Sequence, residues 1–422
     1  MPKNPAYDYV IIGGGIAGTT AAETIRSRDS QATIAIISLE TERLYSRVTL
    51  PAYIRDKIPR EKVFLRSLED YAKHGIDFFG GLSVIGFEAE RREIHTSDGA
   101  IISGIKILIA TGASLRTASL ITGIEDYTFG LQTIKDADRF HAFVAGDTQP
   151  KGKNAVIVGG GFIGLEFIET AFARGYKPHL LLRDKQCFGD QLDAQGWGIL
   201  EANLGRHGVI IYPETEITTS GFTADGFTVT MTGGASIATA WIGYGVGVNR
   251  NTSSFQGTGV RVNRGIVVNE FLESSINNIW AAGDIAEYHD GIFGEDMLIG
   301  NWTNAFLQGK NAGINMTAQT PASRTAFCAV PAYSITNLGL HITFVGITKP
   351  REGWETISRV WDDGMSYERL FIDDNIIKGA ILINRFQDKM IISKLIESRQ
   401  NISAQKEALH DPQTSFSSLF SA

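Results

Sequence analysis

Tyr7-Asp8-Tyr9-Val10-Ile11-Ile12-Gly13-Gly14-Gly15-Ile16-Ala17-Gly18 is the stretch on which the fold turns. A short apolar run, Tyr7 to Ile12, breaks on three glycines, and a helix-compatible stretch follows from Ile16 to about Arg28. A second apolar run, Thr33 to Leu39, ends at Glu40. Strand, glycine turn, helix and strand in that order read as a βαβ unit. Gly13, Gly15 and Gly18 carry the G-x-G-x-x-G spacing inside it. A Cβ at these positions would keep backbone amides away from a pyrophosphate, and the positive end of the helix points at that charge. Glu40, 22 residues beyond Gly18, can accept hydrogen bonds from ribose hydroxyls.

The same order returns about 145 positions later. Ala155 to Val158 reads as a strand, 159–161 as the turn, Phe162 to Arg174 as the helix and Pro178 to Leu182 as the second strand. Gly159, Gly161 and Gly164 repeat the glycine spacing. Two copies imply two dinucleotides, the simplest pair being FAD with NADH or NADPH. Counting from Gly175 puts Leu182 where an acid would bind the coenzyme ribose, followed by Arg183 and Asp184. Arg183 can pair with a 2′-phosphate, Asp184 would repel one, and both can equally be solvated loop charges. NADH and NADPH therefore both stay open.

A chain of 422 residues exceeds one ordinary core, so two or three domains are expected. Hydrophobic residues at 43% and charged residues at 20% give an ordinary globular balance. The net charge of −7 gives no support to nucleic-acid binding. No apolar run approaches the length of a membrane span, and the N-terminus lacks the pattern of a signal peptide. Two cysteines, Cys187 and Cys328, form no disulfide framework and fit a reducing compartment, so a cytoplasmic protein is expected. Ile85 to Ile94 and Ile101 to Ile109 read as strands joined through a hairpin turn at Ser97-Asp98-Gly99. A helix is predicted over Asn301 to Met316, strands over Ile357 to Trp361 and Ile376 to Ile383, and a helix over Asp388 to Arg399. The last twenty residues, polar and weakly periodic, are expected to be mobile.

Together these features resemble the pyridine nucleotide-disulfide oxidoreductase superfamily. Ile109-Ala110-Thr111-Gly112, Ala282-Gly283-Asp284 and Gly243 to Asn249 are similar to its other motifs. The resemblance implies that Asp284 holds the flavin ribityl chain, although an aspartate capping a helix start would read the same way. Within the superfamily the chain looks most like the rubredoxin, ferredoxin and nitrite reductase flavoprotein branch. Tyr45-Ser46-Arg47-Val48-Thr49-Leu50 is similar to a branch segment whose arginine lies at the FAD phosphates, which assigns that place to Arg47. Asn301-Trp302 with Gln308-Gly309 and Ala312-Gly313 resembles a flavin-facing helix, so Trp302 either lies by the flavin or nicotinamide or packs the core. Many members keep a lysine five positions after the arginine, where Ala52 stands here. Its usual partner, Glu166, is present, and a role at the flavin or a helix-surface place are both open for it.

The resemblance implies an α/β fold: two Rossmann-like three-layer domains, for FAD and NAD(P), and a smaller α+β C-terminal domain. Residues 1–118 and 251–325 would bind FAD, 119–250 NAD(P), and 326–422 would form the last domain. Disulfide reductases of the superfamily keep a thiol beside the flavin, either as a Cys-x-x-x-x-Cys pair or shortly after the first ribose acid. No cysteine stands in either place, so thiol relay is disfavoured and no catalytic side chain is assigned. The histidines show no metal-ligand spacing. The expected activity is an NAD(P)H-dependent flavoprotein oxidoreductase serving a rubredoxin- or ferredoxin-type partner. Alternatives are a thiol-independent oxidase or small-molecule reductase, a subunit of a nitrite-reductase-like assembly, and a redox sensor. A homodimer is among the assemblies open to it.

Overall fold

The computed structural model describes residues 4–116, 124–146, 153–223 and 226–420. The expected domain boundary at 118/119 and the first three residues lie outside them. The chain divides into two compact units: residues 1–48, 59–114 and 248–329 form one, and residues 49–58, 115–247 and 330–422 the other.

The first unit is built on a sheet whose strands lie in the order Ile76–Gly80, Ile34–Ser38, Ala6–Ile12, Ile101–Ile109, Glu93–Thr96, Val84–Glu88, with Ile279–Ala281 also paired to Ile101–Ile109. The central pairings are parallel. Their residues explain this: Val10, Ile11, Ile36, Ile107, Leu108 and Ile109 are all fully buried, as strands covered on both faces must be. The hairpin turn at Gly99 is as expected, with the Thr96 amide donating to the Ala100 carbonyl at 3.0 Å. The run from Ile85 to Ile94 is not one strand. It breaks into Val84–Glu88 and Glu93–Thr96, because Arg92 adopts φ 54° and turns the chain back on itself.

Helix Ile16–Arg28 lies against helix Trp302–Met316. Small residues permit the approach: a Cβ on Gly309 would fall 2.2 Å from the Ala17 carbonyl oxygen, and one on Gly313 would fall 2.7 Å from the Thr24 Cβ. The helix Ile16–Arg28 ends where the Arg26 guanidinium takes up the carbonyls of Asp29, Ser30, Ala32 and Gly75.

The second unit repeats the plan. Its parallel sheet runs Ile210–Tyr212, Lys177–Leu181, Asn154–Val158, Trp241–Tyr244, Thr128–Phe129. Phe129, Phe140, Phe167 and Trp241 form an aromatic core on it, tight enough that a Cβ on Gly243 would meet the Phe167 ring at 2.6 Å. An antiparallel sheet follows in the order Ala332–Asn337, Leu340–Gly346, Ile376–Ile383, Tyr367–Asp373, Glu355–Val360. Helix Lys389–Glu397 packs on it.

The expectation of a mobile tail is wrong over the described residues. Leu409 and Phe416 are buried, and Arg359, itself 1% exposed, donates to the carbonyls of Asp411, Pro412 and Thr414. Sequence periodicity is blind to this anchor because a distant buried arginine supplies it. Among the described residues no helix is long and apolar enough to cross a membrane.

Candidate functional site

The two glycine turns are clamped in the same way at their first and third glycines. Gly13 sits at φ +123°, and a Cβ there would lie 2.1 Å from the Ala110 carbonyl oxygen. Gly159 sits at φ +104°, with its Cβ 2.5 Å from the Gly245 carbonyl oxygen. A Cβ on Gly18 would strike the Gly13 carbonyl oxygen at 2.0 Å, and one on Gly164 the Gly159 carbonyl oxygen at 1.9 Å. These four glycines are required by the protein's own packing. Gly15 and Gly161 are different: a Cβ at either meets nothing within 4 Å, and both residues have ordinary extended backbone angles. Each is the N-cap of its helix, offers no side-chain cap, and is followed by a first turn without acidic residues. Unspent helix amides therefore face open space at both places, the arrangement that suits a bound anion.

Around the first turn the structure gathers several of the expected residues. Glu40, just past strand Ile34–Ser38, accepts hydrogen bonds from the Tyr45 hydroxyl and from Arg47 Nη2 at 2.6 Å. Each carboxylate oxygen keeps a second lone pair, so these partners orient the group without exhausting it. Thr111 and Gly112 hold Asn251: its side-chain amide donates to the Thr111 carbonyl at 2.8 Å, and its backbone amide donates to the Gly112 carbonyl at 3.1 Å. Asn251 belongs to no sequence pattern, and only the fold brings it here.

Asp284 follows Gly283, whose positive φ of +84° makes the turn and whose amide donates to Gln308 Oε1 at 2.7 Å. Burial pushes the Asp284 carboxyl up, while the charges of Arg250 and Arg47 pull it back. The capping alternative for Asp284 falls, because the turn leads into strand Ala286–Asp290. The next long helix begins at half-buried Trp302 and is capped by the Asn301 side chain.

In the second unit Glu166 is not on an open helix surface. Its side chain is 20% exposed, and its Oε2 accepts from Arg55 Nη1 at 2.8 Å. Arg55 also approaches Glu169 at 3.7 Å, and Lys57 meets Glu169 at 3.2 Å. Burial raises the Glu166 carboxyl, and the Arg55 guanidinium opposes that rise. The partner of Glu166 is thus three residues beyond Ala52, out of reach of a search confined to one position. Arg183 is 79% exposed and lies 3.8 Å from Asp184.

Cys187 is fully buried beneath the second turn, where a Cβ on Gly160 would come within 2.9 Å of its sulfur. Burial pushes its thiol up to about 12, leaving it without thiolate at neutral pH. Glu88, Glu93 and His95 do come together, with ligand atoms within 4.8 Å of one another. Antiparallel pairing of Glu88 with Glu93 creates this grouping, which spacing along the chain does not reveal.

Residues 7–309 match the family described as pyridine nucleotide-disulphide oxidoreductase, and residues 331–400 match the rubredoxin NAD+ reductase C-terminal domain. The chain is 25% identical over 396 residues to the epsilon subunit of NADH-dependent phenylglyoxylate dehydrogenase from Aromatoleum evansii, covering 93% of this chain and 92% of that one. It is 25% identical over 332 residues to putidaredoxin reductase CamA of Pseudomonas putida, covering 76% and 77%. Among solved structures, the covalent putidaredoxin reductase–putidaredoxin complex shares the fold with a TM-score of 0.89 at 22% identity, covering 99% of this chain and 98% of that one.

Proposed function

The chain belongs to the pyridine nucleotide-disulphide oxidoreductase family, and from that premise we propose that it is an FAD-dependent NAD(P)H oxidoreductase that hands electrons to a small redox protein of the ferredoxin or rubredoxin type. One observation carries this reading: Gly15 and Gly161 front open space, while Gly13, Gly18, Gly159 and Gly164 are clamped against backbone. Nothing in the protein's own packing demands glycine at those two positions. Close approach of a dinucleotide pyrophosphate does. The putidaredoxin reductase relative and the match of residues 331–400 to a rubredoxin reductase domain support the acceptor class.

In this reading Gly13, Gly15 and Gly18 form the FAD pyrophosphate turn, Glu40 receives the ribose hydroxyls and Arg47 faces the phosphates. Asp284 receives the ribityl hydroxyls, Thr111 and Gly112 with Asn251 shape the adjoining wall, and Trp302 stands by the ring system. Gly159, Gly161 and Gly164 form the nicotinamide coenzyme turn, with Arg183 on its rim and Glu166 held by Arg55 on the helix that leaves it. Residues 1–118 and 251–325 are then the flavin domain, 119–250 the coenzyme domain and 326–422 the C-terminal domain, in a cytoplasmic protein. Bound flavin supplies chemistry that no side chain here offers, two-electron uptake and release of electrons singly or in pairs. The chain's part is to orient and to hold charge: Arg47 stays pinned by Glu40, and Arg250 and Arg47 keep a buried Asp284 able to accept hydrogen bonds.

Anaerobic addition of NADH or NADPH to the yellow protein tests the proposal. Bleaching of the flavin absorption, followed by faster turnover with added ferredoxin or rubredoxin than with oxygen alone, is expected. Flavin that neither coenzyme bleaches would overturn the enzyme reading, and turnover indifferent to either redox protein would overturn the acceptor class.

A further inference from the structure

Each glycine turn has a central peptide, Gly14-Gly15 in the first unit and Gly160-Gly161 in the second, whose carbonyl is gripped by a donor from further along the chain. In the first turn the donor is a side chain. The Thr19 hydroxyl donates to the Gly14 carbonyl at 3.3 Å, and fully buried Thr19 is backed by the Tyr71 hydroxyl at 3.1 Å. Six residues after the first glycine, where Thr19 stands in the first helix, the second helix has Leu165, which offers no hydroxyl. There the Phe188 amide donates to the Gly160 carbonyl at 3.1 Å. In a trans peptide a carbonyl and the amide that follows it point in opposite directions, so this grip aims the Gly161 amide away from Phe188. Gly161 is the glycine that fronts open space.

Phe188 lies on a strap, residues 183–193, that follows strand Lys177–Leu181 and runs against the turn. A Cβ on Gly160 would come within 3.0 Å of the Cys187 Cα. Phe188 itself sits at φ 60°, a left-handed conformation that a bulky side chain keeps only where its surroundings impose it. Those surroundings come from the C-terminal residues. Arg369, on strand Tyr367–Asp373 and 9% exposed, donates through Nη1 to the Asp190 carbonyl at 2.9 Å and the Gln191 carbonyl at 2.8 Å. The Thr348 hydroxyl donates to Gln191 Oε1 at 3.2 Å, and the Ser358 hydroxyl donates to the Asp193 carboxylate. The Phe188 ring packs on Phe344, with 4.9 Å between ring centroids.

We propose that Arg369 is a positioning residue for the nicotinamide coenzyme: by clamping the strap it holds the Phe188 amide on the Gly160 carbonyl and so aims the Gly161 amide at the coenzyme pyrophosphate before binding. This rests on reading the second turn as the coenzyme site. A donor ordered in advance spares the complex the cost of ordering it, so the effect falls on affinity and not on the chemical step. The residues that match a rubredoxin reductase C-terminal domain thereby serve coenzyme binding through the strap.

Stopped-flow reduction of the bound flavin by NADH or NADPH tests this, because it yields a coenzyme dissociation constant and a limiting rate separately. Arg369→Gln should raise the dissociation constant by about tenfold, with the limiting rate and flavin content as in wild type. Arg369→Lys, whose ammonium can still serve both carbonyls, should recover most of the loss. Adding Leu165→Thr to Arg369→Gln gives the second helix the hydroxyl that Thr19 supplies to the first, and affinity should again recover. A domain that had merely loosened would not respond to a hydroxyl at that one position. Phe188→Asn deletes the ring but keeps the amide on a residue that tolerates the left-handed region, so affinity should stay within about threefold of wild type. That variant carries the test if Arg369→Gln does not fold. Wild-type affinity in folded Arg369→Gln, a loss recovered neither by Arg369→Lys nor by Leu165→Thr, or an equal loss in Phe188→Asn would overturn the role of Arg369 and leave the coenzyme site in place. Wild-type flavin bleached by neither coenzyme would instead remove the site itself.

Discussion

One added methyl group should produce opposite phenotypes at Gly161 and Gly164, three residues apart. At Gly164 the new Cβ would sit 1.9 Å from the Gly159 carbonyl oxygen and 3.0 Å from its carbon. That oxygen cannot retreat, because Gly159 is held at φ +104° against the Gly245 carbonyl. The helix must back away from the turn, at an overpacking cost of about 3 kcal/mol or more, which lowers Tm by roughly 6–12 °C for a unit of this size. At Gly161 the Cβ meets nothing within 4 Å, and φ −96°, ψ −170° suits alanine. Losing glycine at the N-cap and gaining a stiffer unfolded chain offset one another, so stability should stay within about 1 kcal/mol of wild type. The methyl would instead occupy the space in front of the helix amides. Forfeiting one charge-assisted hydrogen bond to pyrophosphate, worth about 1.5–3 kcal/mol, weakens NADH binding roughly tenfold to a hundredfold. Thermal melts and anaerobic NADH titrations of flavin absorption, run on Gly161→Ala and Gly164→Ala side by side, read both effects. Wild-type coenzyme affinity in Gly161→Ala would refute the placement of the coenzyme, and a wild-type melt for Gly164→Ala would refute the packing argument.

Asp284→Ala should purify with much less flavin at unchanged or higher apoprotein Tm, since burial already disfavours the carboxylate. The flavin-to-protein absorbance ratio measures it, and full occupancy would show that Asp284 does not hold the flavin. Cys187→Ser with Cys328→Ser should keep dye-acceptor reduction near wild type despite about 1–3 kcal/mol lost from a hydroxyl in the buried Cys187 site. Loss of turnover in a folded, flavin-loaded double variant would restore a thiol relay. Burial, with a hydrogen bond to Asp388, pushes the Glu368 carboxyl up to about 8 against the pull of Arg359 and Arg385. An acid whose folded-state value is raised binds its proton longer in the folded chain. Its contribution to stability is therefore present at low pH and is lost as pH rises from about 4 toward 8. Glu368→Gln should flatten the stability profile across that window, and a slope equal to wild type in denaturant titrations would count against the assignment.

Much of this was legible along the chain because its causes are local. A fully buried parallel strand must be apolar throughout, and Tyr9 to Ile12 and Ala155 to Ile157 are runs of that kind. Glycine spacing is a backbone requirement written directly into residue identity, which is why both turns and both helices that leave them stand within a residue or two of expectation. Glu40 was readable for the same reason, as a carboxylate at the end of a strand that could be counted. The tertiary structure alone decided matters that depend on pairing across distance. Arg55 reaches Glu166 and Asn251 reaches Thr111 through space, with no spacing rule linking their positions. Arg359 pins a tail whose own residues look unremarkable because a buried guanidinium can satisfy carbonyls more than fifty positions away. The rim of the second turn shows the division most sharply. Counting forward from Gly175 reaches Leu182 at the rim, but only the folded strand shows that Leu182 is 2% exposed, with its side chain packed beneath Gly160. Residue identity fixes what a backbone can tolerate locally, whereas strand register and long-range contacts exist only once the chain has closed on itself.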